Sequence, residues 1–72
     1  MVTAHHYTKI QHPIPTGTLI LVELFGGERI EGLVENYEDD IKNGRPGYDL
    51  SDCTDGIPHW CYAAQVRATF QR

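Results

Sequence analysis

A chain of 72 residues has room for one small folded domain, and its 40% hydrophobic and 22% charged residues argue against intrinsic disorder. Ten acidic against six basic side chains give a net charge of -4, and the basic residues are scattered along the sequence. Because clustered Lys and Arg are needed to release counterions from phosphates, nucleic acid is not an expected partner. No hydrophobic run approaches the roughly 20 residues that span a bilayer, so no membrane association is expected.

Residues 1–15 are predicted to form an extended N-terminal segment. Only Tyr7, Ile10 and Ile14 are suited to burial there, with at most a short edge strand over residues 7–10. Pro13 and Pro15 would end any strand pairing, because proline has no backbone N–H. The segment carries one Lys and no apolar stretch of the signal-peptide kind, so we expect a cytoplasmic protein with reduced cysteines.

The clearest structural signal is a β-hairpin, with strands over residues 18–25 and 28–37. Apolar residues recur with the period of two that a strand requires, so that Ile20 and Val22 share one face. The dipeptide Gly26-Gly27 between the strands readily adopts the positive φ of a tight turn. Gly32 inside the second strand predicts a bulge or a sharp bend.

The second half of the chain predicts three further short strands. Residues 38–46 are predicted to be a long loop, followed by strands over 47–51, 59–62 and 67–70. Residues 63–65 are too few for an α-helix and fit a single 3₁₀ turn. Near the C-terminus, Val66, Ala68 and Phe70 alternate with polar residues and are predicted to share one apolar face.

Five short strands with one turn before the last are most economically arranged as a small closed barrel, because closure removes exposed edges. This order of elements resembles the SH3-like barrels and places the domain at residues 16–72. The segments Gly32-Leu33-Val34 and Gly47-Tyr48-Asp49-Leu50-Ser51 resemble the type II dihydrofolate reductases. That family catalyses through a Val-Gln-Ile-Tyr segment, where this chain has Trp60-Cys61-Tyr62-Ala63. The resemblance therefore implies the barrel shape and a tendency to oligomerise, not the activity.

Apolar residues on the second face of the hairpin predict self-association. Leu19, Leu21 and Leu33 lie opposite the better-patterned core face, where a lone barrel would expose them to water. A second copy of the chain would cover them, and the alternative cover is the N-terminal segment folding back.

Aromatic residues and a neighbouring acidic stretch predict a ligand-binding surface. Aromatic rings beside acidic residues can form a groove for a peptide or a cage for methylated lysine. In a chain this short the same rings are also needed to fill the core. The candidate binding residues are Tyr37, Glu38, Asp39, Tyr48, Trp60 and Tyr62.

A metal site is the weaker of the chemical hypotheses. Cys53, His59 and Cys61 have the ligand types that zinc prefers, but the paired cysteines typical of structural zinc sites and a fourth ligand are missing. We therefore expect no cofactor. The sequence favours a non-enzymatic binding or assembly module that forms homo-oligomers and contacts a peptide or protein. The alternative is a small oligomeric enzyme whose site lies at a subunit interface.

Overall fold

The computed structural model describes residues 10–70, which form one antiparallel sheet. The all-β prediction is confirmed over this range, and the order across the sheet is β4-β3-β2-β1-β5. The strand expected over residues 7–10 lies almost wholly outside the described residues. The elements in chain order are β1 (Leu19–Glu23), β2 (Arg29–Lys42), β3 (Arg45–Asp52), β4 (Pro58–Tyr62), a 3₁₀ turn (Ala63–Gln65) and β5 (Val66–Phe70).

The first hairpin forms at the predicted place. The backbone N–H of Gly27 donates to the carbonyl of Leu24 at 2.9 Å, and the N–H of Leu24 donates to the carbonyl of Glu28 at 2.7 Å. Gly27 has a φ of 90°, a conformation that glycine adopts without the steric cost of a β-carbon. β1 and β2 are therefore linked by a tight turn, as the Gly-Gly pair predicts.

The predicted loop over residues 38–46 is wrong, because β2 and β3 continue through it as a second hairpin. β2 runs to Lys42 and β3 starts at Arg45, with Asn43 and Gly44 as the turn. Asn43 has a φ of 58° and Gly44 a φ of 72°, and Asn-Gly is the dipeptide that most readily supplies two successive positive φ values. The carboxylate of Asp40 also accepts a hydrogen bond from the N–H of Gly44 at 2.8 Å.

The prediction of a closed barrel is also wrong. β4 and β5 are the two edges of the sheet and do not pair with each other. The connection between them is the 3₁₀ turn, which makes a corner rather than a hairpin. The side chain of Gln65 fixes this corner, because its Oε1 accepts from the N–H of Tyr62 at 2.8 Å and its Nε2 donates to the carbonyl of Glu23 at 2.8 Å.

The core lies on one face of the sheet and is partly covered by the chain that precedes β1. Ile14 is only 3% exposed, and its neighbour Ile10 packs against the same cluster. Full burial of a side chain of this size stabilises the fold by about 1.5–3 kcal/mol. The buried residues are Ile14, Ile20, Val22, Val34, Tyr48, Leu50, Cys61 and Val66.

Gly32 marks a close approach between strands, and the nearest bulge of β2 lies further along the strand, at Glu35. A β-carbon at Gly32 would lie 2.6 Å from Cδ1 of Leu50 and 2.8 Å from the carbonyl oxygen of Ser51. The pairing of β2 with β3 shifts register between Val34 and Asn36. Glycine is thus required here because β3 packs directly against the backbone of β2.

Candidate binding surfaces

Three aromatic rings pack together around the outer side of β4. Trp60 and Tyr62 alternate along β4 with the buried Cys61, so their rings point away from the core. The ring centroids of Trp60 and Tyr62 are 5.2 Å apart, nearly perpendicular. Phe25, from the first hairpin turn, contacts both, with centroid distances of 5.4 Å and 5.9 Å. Phe25 remains 67% exposed, so the cluster is open to solvent.

Two cations lie against these rings. Nζ of Lys42 is 5.4 Å from the centroid of Trp60, and the guanidinium of Arg45 is 4.4 Å from that of Tyr62, both within the range of cation–π attraction. Nδ2 of Asn43, in the turn between the two cations, donates to the hydroxyl of Tyr62 at 3.0 Å. The second hairpin therefore brings its turn onto the aromatic rings of β4. We call Phe25, Lys42, Arg45, Trp60 and Tyr62 the cation–aromatic surface.

The six residues predicted as one binding surface are divided by the structure between two regions. Trp60 and Tyr62 belong to the cation–aromatic surface, whereas Tyr48 is fully buried and pairs in register with Cys61 on the core side of the sheet. The half-buried ring of Tyr37 packs on Tyr48 with centroids 5.3 Å apart. Tyr48 therefore belongs to the core, as the alternative interpretation of the aromatic residues held.

The acidic residues of the predicted surface lie beside Tyr37. Glu38 and Asp39 are exposed on β2, and Glu38 accepts a hydrogen bond from Nδ2 of Asn36 at 3.0 Å. Partial desolvation, with a smaller contribution from Asp39, raises the pKa of the Tyr37 hydroxyl. The acidic residues are thus grouped with Tyr37, while the rings of Trp60 and Tyr62 have cations as neighbours.

A second exposed surface is apolar and lies on the face of β5, β1 and β2 opposite the core. Leu19 pairs in register with Leu33 of β2 and with Phe70 of β5, which forms a row of three apolar side chains across three strands. Leu33 and Phe70 are 37% and 40% exposed. Leu19, Leu21, Leu33, Ala68 and Phe70 together are called the outer apolar face.

Phe70 was missing from the predicted self-association residues because a bulge changes the orientation of β5. Val66 pairs with Val22 and is buried, but the register shifts between Leu21 and Val22, so that Ala68 pairs with Leu21 instead. Ala68 and Phe70 therefore lie on the outer face, not on the same face as Val66. A simple period of two in the sequence does not reveal such a shift.

The basic residues differ in whether a carboxylate is close to them. Oε1 of Glu23 accepts from both Arg29 and Arg67 at 3.3 Å, and these contacts, led by the hydrogen bond from Arg67, lower the pKa of Glu23. By contrast, Lys42 and Arg45 form no ion pair with a carboxylate of residues 10–70. Their positive charges are thus available to a ligand.

The structure does not bring together the three residues considered as zinc ligands. Cys61 is fully buried, Cys53 is exposed and unpaired, and His59 is half-buried. Burial raises the pKa of the Cys61 thiol from 9.0 to about 11, which disfavours the thiolate that binds metal. Over residues 10–70, no group of three or more His, Cys, Asp or Glu side chains could hold a metal ion.

Comparison with known proteins does not assign the chain to a family. No protein-family model matches the sequence, and neither curated proteins nor solved structures give a significant match. No helical segment within the described range is long and apolar enough to cross a membrane.

Proposed function

We propose that this protein is a non-enzymatic assembly module with an SH3-like arrangement of strands, and that it self-associates through the outer apolar face. The observation that carries the proposal is the row formed by Phe70, Leu19 and Leu33 across three neighbouring strands. Contiguous exposed apolar surface of this kind is typical of protein–protein contacts.

The strand order supports the SH3-like assignment. The last strand lies beside the first, the long β2 joins both halves of the sheet, and a 3₁₀ turn precedes β5. Folds of this type serve many functions, so the assignment describes the scaffold and not its ligand.

The two sheet edges favour a second copy of the chain as the cover of the outer apolar face. β4 begins with Pro58, and proline has no N–H to offer a neighbouring strand. β5 has no proline and a single charged residue, Arg67, so few features prevent another strand from pairing with it. A two-fold contact at the β5 side of the sheet, with the outer apolar faces of two copies lying against each other, would bury both apolar rows, because a two-fold interface uses the same patch on both subunits.

Sedimentation equilibrium of the full chain tests this proposal, with charges introduced on the outer apolar face. We expect a dimer at concentrations of tens of micromolar and a monomer for Leu33→Glu and for Phe70→Glu. Ile57→Glu is the matched control, because Ile57 is 52% exposed on the loop between β3 and β4 and outside the outer apolar face. This control should remain dimeric.

The alternative to a second copy is that residues 1–9 cover the outer apolar face. Deletion of residues 1–9 distinguishes these two possibilities. The deletion retains Ile10 and Ile14, so the core contacts that these two residues make are preserved. A full chain that is monomeric, and that associates only when residues 1–9 are removed, would show that the N-terminal segment covers the outer apolar face. That result would contradict self-association as the function of this face.

A further inference from the structure

The end of the second hairpin holds two positive charges directly opposite each other. Lys42 of β2 pairs in register with Arg45 of β3. Like charges at such positions are destabilising, because the side chains lie side by side on the same face of the sheet. Within residues 10–70 no carboxylate forms an ion pair with either of them. An anion placed between the two side chains would remove this repulsion.

Apolar surface is available immediately beside the two cations. Phe25 is the most exposed large hydrophobic side chain of the described residues, at 67%, and it lies against Trp60 and Tyr62. Trp60 and Tyr62, packed edge to face with centroids 5.2 Å apart, are both only half-buried and add aromatic surface beside Phe25. A ligand of this surface would therefore combine negative charge with apolar groups.

We propose that the cation–aromatic surface binds an extended acidic peptide segment. Its carboxylates would contact Lys42 and Arg45, while its apolar side chains lie on Phe25, Trp60 and Tyr62. This site shares no residue with the outer apolar face and does not depend on the proposed contact between copies.

The charges around the rings distinguish this ligand from others that bind aromatic surfaces. A methylated lysine or a basic peptide would bring positive charge to rings that Lys42 and Arg45 already contact. Single-stranded nucleic acid would also stack on the rings, but its phosphates would meet a chain of net charge -4 with only two cations at this surface. The surface thus favours a ligand with few negative charges.

The fluorescence of Trp60 provides a direct measurement, because it is the only tryptophan of the chain. The probe is a ten-residue peptide of alternating Glu and Pro, which the prolines keep extended. A Lys-Pro peptide of the same length tests the charge, and a ten-nucleotide oligothymidine tests nucleic acid. We expect saturable binding of the Glu-Pro peptide, weakened by salt, and no response to the Lys-Pro peptide.

Charge substitutions connect the binding to these residues. The double variant Lys42→Gln/Arg45→Gln should bind the Glu-Pro peptide at least about tenfold more weakly, since both charge-assisted contacts are lost. Gln11→Glu/Thr16→Glu is the control, because it changes net charge equally at exposed positions away from the cation–aromatic surface. It should bind as the natural chain does, and circular dichroism should show that both variants are folded.

Three outcomes would overturn the proposal. These are the absence of a saturable response to the Glu-Pro peptide, equal weakening in the control variant, or tighter binding of oligothymidine than of the peptide. The last outcome would identify the surface as a nucleic-acid site. None of them concerns the outer apolar face, whose variants are tested by their oligomeric state.

Discussion

The backbone N–H of Ile14 donates a hydrogen bond to the hydroxyl of Tyr48 at 2.9 Å, across 34 residues of sequence. Both residues are in the core, and the ring nitrogen Nδ1 of His12 is also hydrogen-bonded to the same hydroxyl. The segment before β1 is thus fixed to β3 by a polar contact inside the core. This hydroxyl satisfies a backbone donor that would otherwise be buried without a partner.

Replacing Tyr48 with Phe should destabilise the fold, although the ring is retained. The N–H of Ile14 would lose its acceptor while staying buried, and such a loss costs about 1–3 kcal/mol. Urea denaturation followed by circular dichroism measures the change in the free energy of unfolding. Tyr37→Phe is the control, because the hydroxyl of the half-buried Tyr37 accepts no hydrogen bond from the backbone of residues 10–18, and the substitution should change stability little. Equal losses in the two variants would show that the contact with Ile14 contributes nothing.

Short sequence motifs correctly predicted the turns, because the conformation of a turn depends on the few residues that form it. Gly26-Gly27 predicted the first hairpin turn, and residues 63–65 form the expected 3₁₀ turn. The Asn43-Gly44 turn had an equally strong signal, but the charged residues around it suggested a loop instead. Interpreted as a two-residue hairpin turn, Asn43-Gly44 predicts that β2 and β3 extend to either side of it, which places Lys42 opposite Arg45.

The arrangement of the candidate surfaces depends on features that no local pattern contains. The bulge in β5 turns Phe70 to the outer apolar face, and only pairing with β1 determines where that bulge lies. Phe25 of the first hairpin turn contacts Trp60 of β4, although β2 and β3 lie between β1 and β4 in the sheet, so the contact depends on the packing of the whole sheet. Residue types could therefore suggest binding surfaces, but not which aromatic residues would meet which charges.

Gly47 is a second position where the packing of neighbouring strands requires glycine. A β-carbon there would overlap the carbonyl oxygen of Cys61 and lie 2.5 Å from Cγ2 of Ile41. Because a backbone carbonyl in a sheet cannot move freely, we expect Gly47→Ala to cost at least about 2 kcal/mol in the free energy of unfolding. Gly26→Ala is the control, since its β-carbon would meet nothing within 4 Å. A Gly47→Ala variant as stable as the control would contradict the close approach of β3 to β4.

The two cysteines should differ in reactivity as their burial does. Cys53 is exposed, whereas Cys61 is fully buried with a thiol pKa raised to about 11. At pH 8 a thiol reagent such as Ellman's reagent should modify one cysteine per folded chain rapidly and the second only in denaturant. Two fast-reacting thiols in the folded chain would contradict the packing of Cys61 against Tyr48.

The raised pKa of Cys61 also predicts how stability changes at alkaline pH. Below pH 9 the thiol is protonated in both the folded and the unfolded chain, so its ionisation does not reduce the free energy of unfolding there. Between pH 9 and about 11 the unfolded chain loses the proton while the folded chain keeps it, so stability falls by about 2–3 kcal/mol. Burial likewise raises the pKa of Tyr48, which adds to the decline. Urea denaturation of the natural chain and of Cys61→Ala at pH 8 and pH 10.5 isolates the thiol, because the variant should lose less stability over that interval. An equal loss of stability in the natural chain and in Cys61→Ala would show that Cys61 ionises as readily in the folded chain as in the unfolded one.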